Sequence, residues 1–181
     1  QRLDLLEQKL IRCTHDLLHF DNFSVHVLDP ATNKLDLVLS GGMPGNIHEI
    51  PIYACEEGNG VCGWVAAKGK SYCCSDVSKD SRYISGIEEA RSCLAVPLTL
   101  NEKVIGVFNV ESNRLNAFTE DDRRFAESFA RHIAVALHIL NLLVTEQHSA
   151  TDRLASGVMA EITAPLNDIV TEISSLVEDY I

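Results

Sequence analysis

Two apolar runs of strand length, Ser92–Leu100 and Val104–Glu111, stand with only Asn101-Glu102-Lys103 between them. So short a connection forces antiparallel pairing, because parallel strands need a crossover of about a dozen residues or more. The rest of the chain must then supply partners for the edges of this hairpin and cover for its faces. Phe23–Leu28 alternates as a half-buried strand, Asp29–Lys34 reads as a turn, and Leu35–Leu39 is its hairpin partner. Shorter strands are expected around Ile47–Tyr53 and Ser71–Cys74, with Gly41–Gly45 as a loop between strands.

Helical spacing supplies the cover. Leu3, Leu6, Leu10, Cys13 and Leu17 recur at steps of three and four, predicting an amphipathic helix from the start to about His19. Gly58–Gly63 reads as a loop, Trp64–Lys68 as a short helix closed by Gly69, and 75–92 as loop with a short helix near Gly86–Ala90. Thr119 is a good N-cap, with Glu120, Asp121 and Asp122 in the first turn of a long helix. Its apolar stripe runs Phe125, Phe129, Ile133, Leu137, Leu140 and Val144. This order of elements predicts an α+β fold with a mostly antiparallel sheet. Beyond the polar stretch Thr145–Asp152, a second stripe of Leu154, Val158, Ile162, Leu166, Ile169, Ile173, Leu176 and Tyr180 has coiled-coil spacing. A lone helix cannot bury such a stripe, so a homodimer is expected.

Bulk properties narrow the partners. The 181 residues are 46% hydrophobic and 23% charged, enough for one well-cored domain with chain to spare. A net charge of −11 argues against nucleic acid and anionic membrane surfaces. No apolar run approaches the roughly 18 residues of a membrane span, and Ile133–Val144 is interrupted by His138 and Asn141. The first residues already read as helix rather than signal peptide, and the chain opens on Gln1, so a piece of a longer, cytoplasmic protein is expected. Cys13, Cys55, Cys62, Cys73, Cys74 and Cys93 fit no CxxC zinc pattern and suit a reducing compartment.

Five segments in order carry a family resemblance: Gly58-Asn-Gly-Val-Cys-Gly-Trp-Val-Ala-Ala-Lys-Gly-Lys70, Ser75–Tyr83, Cys93-Leu-Ala-Val-Pro-Leu98, Val104-Ile-Gly-Val-Phe-Asn-Val110 and Phe118-Thr-Glu-Asp-Asp122. Together they resemble the GAF domain, in register from about Leu6 to Leu143. The resemblance implies a GAF/PAS-like six-stranded antiparallel sheet with a small-molecule pocket on one face. The first and last helices would lie on the other face and form a dimer bundle. GAF domains bind cyclic nucleotides, tetrapyrroles, haem, amino acids and small anions, so the ligand is not named by the fold.

In the tail, Ala160-Glu-Ile-Thr-Ala-Pro-Leu166 resembles the phosphoacceptor box of sensor histidine kinases, with Ala160 where the family has its histidine. An alanine methyl neither accepts nor transfers a phosphoryl group, and His148 lies twelve residues upstream. The expected organisation is a GAF domain over 1–144 and a degenerate dimerisation helix over 145–181.

Catalytic readings find less support in the residues. Ala54-Cys55 and Gly60-Val-Cys-Gly63 resemble parts of the free methionine-(R)-sulfoxide reductases, but the loop Arg82–Ile87 lacks the cysteine that resemblance requires. Cys73 and Cys74 are neighbours on a strand and should face opposite sides. Of the histidines, only His15 and His19 share a helical i, i+4 spacing. Asn113-Arg114-x-x-x-Phe118-x-x-x-Asp122 resembles part of a phosphodiesterase GAF signature, with Arg123 in place of its final Glu; a turn, a core plug and a helix cap explain the same residues. Gly58-x-Gly60-x-x-Gly63 lacks the βαβ setting of a dinucleotide site, although a helix start there would offer N–H groups to an anion.

The expected function is therefore a regulatory sensor rather than an enzyme. Its ligand-contacting residues are expected to be Trp64, Tyr72, Asp76, Arg82, Tyr83 and Cys93. The homodimer interface is expected to use Leu3, Leu6, Leu10, Leu137, Leu140, Val144, Leu154, Val158, Ile162, Leu166 and Ile169. Its partners would be an unidentified small molecule and an output domain or response regulator, and no cofactor is named. A ligand-free assembly module and a thiol-based methionine sulfoxide reductase are the alternatives.

Overall fold

In a computed structural model, residues 22–43, 51–84, 86–87 and 89–149 are described. The expected helix ending near His19, Ile47–Ile50 of the expected strand, and the tail from Ala150, including Leu154, Val158, Ala160, Ile162, Leu166 and Ile169, lie outside them. Six strands form one antiparallel sheet: β1 (Asn22–Leu28), β2 (Lys34–Gly41), β3 (Ile52–Tyr53), β4 (Tyr72–Cys74), β5 (Ser92–Leu100) and β6 (Lys103–Ser112), in the order β3-β2-β1-β6-β5-β4. Helix α1 spans Gly60–Lys68 and helix α2 spans Glu120–Ser149.

The β5–β6 hairpin sits in the interior of the sheet. Leu100 pairs with Lys103, which leaves a two-residue turn of Asn101 and Glu102, both at positive φ. That turn type matches the strand twist, which is why the connection is shorter than expected. β1 then pairs with β6, placing Ser24 opposite Asn109 and Val25 opposite Phe108. Gly106 is fixed by this approach: a Cβ there would stand 2.2 Å from the His26 carbonyl oxygen.

Strand alternation divides the core in two. Leu94, Val96, Leu98, Phe108 and Val110 face α2, where Ala126, Ala130 and Ala134 let the helix approach closely and Phe129 and Ile133 fill the seam. The Phe108 ring meets Phe23 at 6.1 Å and Phe129 at 5.4 Å. Cys93, Ala95 and Val107 face the other way, onto Val61, Cys62, Val65 and Ala66 of α1. Because that helix is apolar nearly all round, it lies buried between the sheet and its loops.

Two helical expectations change. α1 begins at Gly60, not Trp64, because Gly63 must pass the β3 loop: a Cβ there would lie 2.6 Å from the Tyr53 carbonyl oxygen. No helix forms among the described residues near Gly86–Ala90; the regular piece of this segment is a 3₁₀ turn at Val77–Lys79. The N-terminus of α2 is as expected, with Thr119 Oγ1 accepting from Asp122 N–H at 3.2 Å and Asp122 accepting from Thr119 N–H at 2.7 Å. α2 continues past Val144 to Ser149, so the polar stretch does not break it at its start.

Candidate functional site

The α1 face of the sheet is where polar groups and space come together. Asn59 braces the entrance: its Oδ1 accepts from Tyr53 N–H at 3.0 Å and its Nδ2 donates to the Glu57 carbonyl at 3.1 Å. Gly58 and Gly60 take positive φ, which turns the chain sharply into α1. Glu56, Glu57, Gly58 and Gly60 thereby form one wall of an open cavity of about 420 Å³. Ser81, Arg82, Ile84 and Trp64 of α1 complete its lining.

An aromatic corner backs this cavity. Trp64 and Tyr72 meet edge to face, with ring centroids 5.2 Å apart. The Arg82 guanidinium lies 6.0 Å from the Trp64 ring centre and 5.8 Å from that of Tyr72. Its Nη1 donates to the Tyr72 hydroxyl at 3.4 Å, and that hydroxyl donates to Asp80 at 2.5 Å. Burial pushes the Asp80 carboxyl up, but hydrogen bonds from Tyr72, the Arg82 N–H and Cys74 outweigh it and hold the group below its usual range.

Beneath the 81–87 segment sits a buried carboxylate. Glu111 of β6 is 4% exposed and accepts from the Tyr83 hydroxyl at 3.0 Å, from Ile87 N–H at 3.0 Å and from Asn109 Nδ2 at 3.3 Å. Gly86 fits only because it lacks a side chain: a Cβ would stand 2.6 Å from Glu111 Oε1. Burial raises the Glu111 pKa, and these hydrogen bonds only partly offset the rise. Tyr83 is pushed up as well, by burial and then by the nearby Glu111 charge. The same face of β1 carries the buried side chains of Ser24 and His26, whose Oγ and Nε2 are 3.1 Å apart. Ser24, His26, Asn109 and Glu111 thus form a polar floor inside an otherwise apolar sheet.

The six residues expected to contact a ligand divide accordingly. Trp64 and Arg82 line the cavity, and Tyr72 stands behind them. Asp76 instead organises its own turn: the Ser78 hydroxyl donates to it at 2.7 Å and Lys79 pairs with it at 2.9 Å, which together hold its carboxyl at about 2. Tyr83 turns inward to Glu111, and Cys93 is sealed in the sheet. Sequence reasoning missed Glu56, Glu57 and Glu111. Glu111 follows Asn109 at strand period, a polar pair on one face of an apolar strand, and that was the available signal.

The thiols and histidines are also placed. Cys73 is exposed while Cys74 is buried opposite Cys93. Burial, then the Glu111 charge, raises Cys62 to about 12, and burial raises Cys93 further; both are protonated thiols at neutral pH. Among the described residues no group of His, Cys, Asp or Glu is arranged to hold a metal ion. His15 and His19 lie outside those residues. Asn113 and Arg114 are exposed on a turn, Phe118 packs on the core and Asp122 caps α2, so the phosphodiesterase-like residues serve structure here. No helix among the described residues is long and apolar enough to cross a membrane.

The family model described as GAF domain matches residues 7–138. Protein YtsP of Bacillus subtilis (strain 168) is 31% identical over 80 residues, which cover 44% of this chain and 49% of YtsP. The chain spans about half the length, or less, of the curated relatives it matches. The GAF domain of an Acinetobacter phosphoenolpyruvate-protein phosphotransferase superposes with a TM-score of 0.66 at 21% identity, over 79% of this chain and 85% of that one. A type II free methionine-R-sulfoxide reductase from Thermoplasma acidophilum superposes with a TM-score of 0.64 at 20% identity, over 76% of this chain and 96% of that one. At such identities the likeness is one of fold. It nevertheless corrects the expectation that the chain is not an enzyme: enzymes are built on this same fold, which therefore gives no ground for excluding catalysis. With the family match spanning most of the chain and the six-stranded sheet agreeing with it, the protein belongs to the GAF domain family.

Proposed function

We propose that this GAF domain is the regulatory small-molecule sensor of a signal-transduction protein and reports ligand state through a helical homodimer. The observation that carries this reading is the cavity walled by residues 56–60 and 81–84, with Trp64 and Arg82 facing it. Its volume of about 420 Å³ suits a small organic ligand. The cavity wall is not isolated from the rest of the fold. Tyr83 and Ile87 hang from Glu111 on β6, and β6 and β5 carry α2 on their opposite face.

A ligand that moves the 81–87 wall therefore pulls on the strand that seats α2. The signal needs differential affinity for two arrangements of the paired helices, and a few kcal/mol suffices. In this reading residues 1–144 form the sensor and 145–181 the dimerising output helix. Leu137, which also packs on its own sheet core, would join Leu140 and Val144 and the 154–169 stripe in the pairing. The output domain or response regulator lies outside this chain, and a cytoplasmic setting agrees with the thiol content.

Native mass spectrometry on the gently purified chain tests both halves. A species near twice 20.0 kDa carrying a discrete small adduct is the expected result. A clean dimer would shift weight to an assembly role, the reading favoured by Ala160 in the phosphoacceptor position. A bare monomer would contradict the helical homodimer.

A further inference from the structure

The aromatic corner already holds a cation. Arg82 lies over both Trp64 and Tyr72, yet its side chain is 49% exposed and its nearest carboxylate, on Asp80, is 3.9 Å away. Asp80 is 10% exposed but pairs only at this long distance, so the two rings, the Tyr72 hydroxyl and this loose pair hold the guanidinium together. Two carboxylate residues, Glu56 and Glu57, line the same cavity. Glu56 is engaged by Lys68, whereas Glu57 has no ion-pair partner among the described residues. An aromatic corner with an acidic wall is the arrangement that recognises organic cations.

We propose that this corner binds a small organic ammonium ion, which displaces Arg82 from Trp64 and Tyr72 and sets its charge toward Glu57. The inference rests on reading the cavity as the ligand site and adds the chemical class of its ligand. The start of α1 at Gly60 offers backbone N–H groups that favour an anion. Glu56 and Glu57 stand on that same wall and oppose one, as does the chain's net charge of −11. Displaced guanidinium would remain beside Asp80, so the cation exchange leaves no charge buried without a partner.

The chain has a single tryptophan, so fluorescence of Trp64 reports on the corner directly. The experiment titrates the intact chain with choline chloride and with ethanolamine hydrochloride, at constant ionic strength made up with sodium chloride. Sodium phosphate serves as the anionic probe. A saturable change with choline or ethanolamine, half-complete in roughly the millimolar range or below, is expected. Glu57→Gln should weaken it about threefold or more. Arg82→Ala should tighten it about three- to tenfold, because the internal competitor and a like charge are gone. An anion site would respond to Arg82→Ala in the opposite sense. Absence of a saturable change with both ammonium probes overturns the proposal. If phosphate alone saturates, the cation assignment falls while the cavity stands as a ligand site.

Discussion

Glu111 shows how one side chain ties the loop wall to the sheet. A carboxyl whose folded pKa is raised above the ordinary value of 4.5 favours folding most below that value, and the contribution is lost as pH rises through the folded pKa. Glu111→Gln removes this titration. Unfolding free energies measured from about pH 4 to pH 8 should therefore shift progressively in favour of the variant as pH rises; a constant difference would show that Glu111 does not titrate abnormally. Tyr83→Phe removes one donor to the buried carboxylate. It should destabilise the fold by about 1–3 kcal/mol in urea denaturation and raise the Glu111 pKa further. Residue-scale legibility was uneven. Trp64 and Arg82 line the cavity, and that much was legible because both fall in the 58–70 and 75–83 segments that carry the family resemblance. Glu111 was not, since its donors Tyr83 and Ile87 are 28 and 24 residues away in sequence.

At the level of elements, the strands were the legible part because alternation is set by which face is buried. The β5–β6 hairpin and the capped start of α2 need only local chemistry, and both formed where the spacing placed them. α1 was misjudged at its start because glycine's poor helix propensity argued against Gly60 and Gly63, while tertiary packing against β3 required them. This makes Gly63→Ala informative. Alanine is the better helix former by about 1 kcal/mol, yet its Cβ would meet Asn59 Cβ at 2.5 Å and the Tyr53 oxygen at 2.6 Å. A net loss of about 1–3 kcal/mol is expected in chemical denaturation, the usual range for overpacking; a gain in stability would show that the α1–β3 contact is loose. The 75–91 segment was illegible for a different reason. It is held by distant backbone partners, such as Arg91 N–H on Ser112 and Asn116 N–H on Ser75, which no local pattern announces.

At the scale of the whole molecule, a pocket on one face of the sheet is coupled, in the proposed reading, to a pairing surface on α2 at the other. Val135 and Leu142 are exposed on α2 one heptad apart, outside the seam that covers the sheet. Leu142→Asp tests whether this face, opposite Leu137, Leu140 and Val144 on the helix, takes part in pairing: the proposed stripe predicts an unchanged dimer in sedimentation, and dissociation would move the pairing to Val135 and Leu142. Ligand binding at the Trp64 cavity is the central claim, and a thermal-shift screen of small metabolites on the parent chain beside Trp64→Ala tests it most directly. At a hundredfold excess over its dissociation constant, a ligand adds about 2.7 kcal/mol. For a domain of this size that is a rise of several degrees, on the order of 2–4 °C per kcal/mol. The expected result is at least one compound that raises the parent midpoint and has no effect on Trp64→Ala. Compounds that stabilise both proteins equally, or none that stabilise the parent, would contradict it.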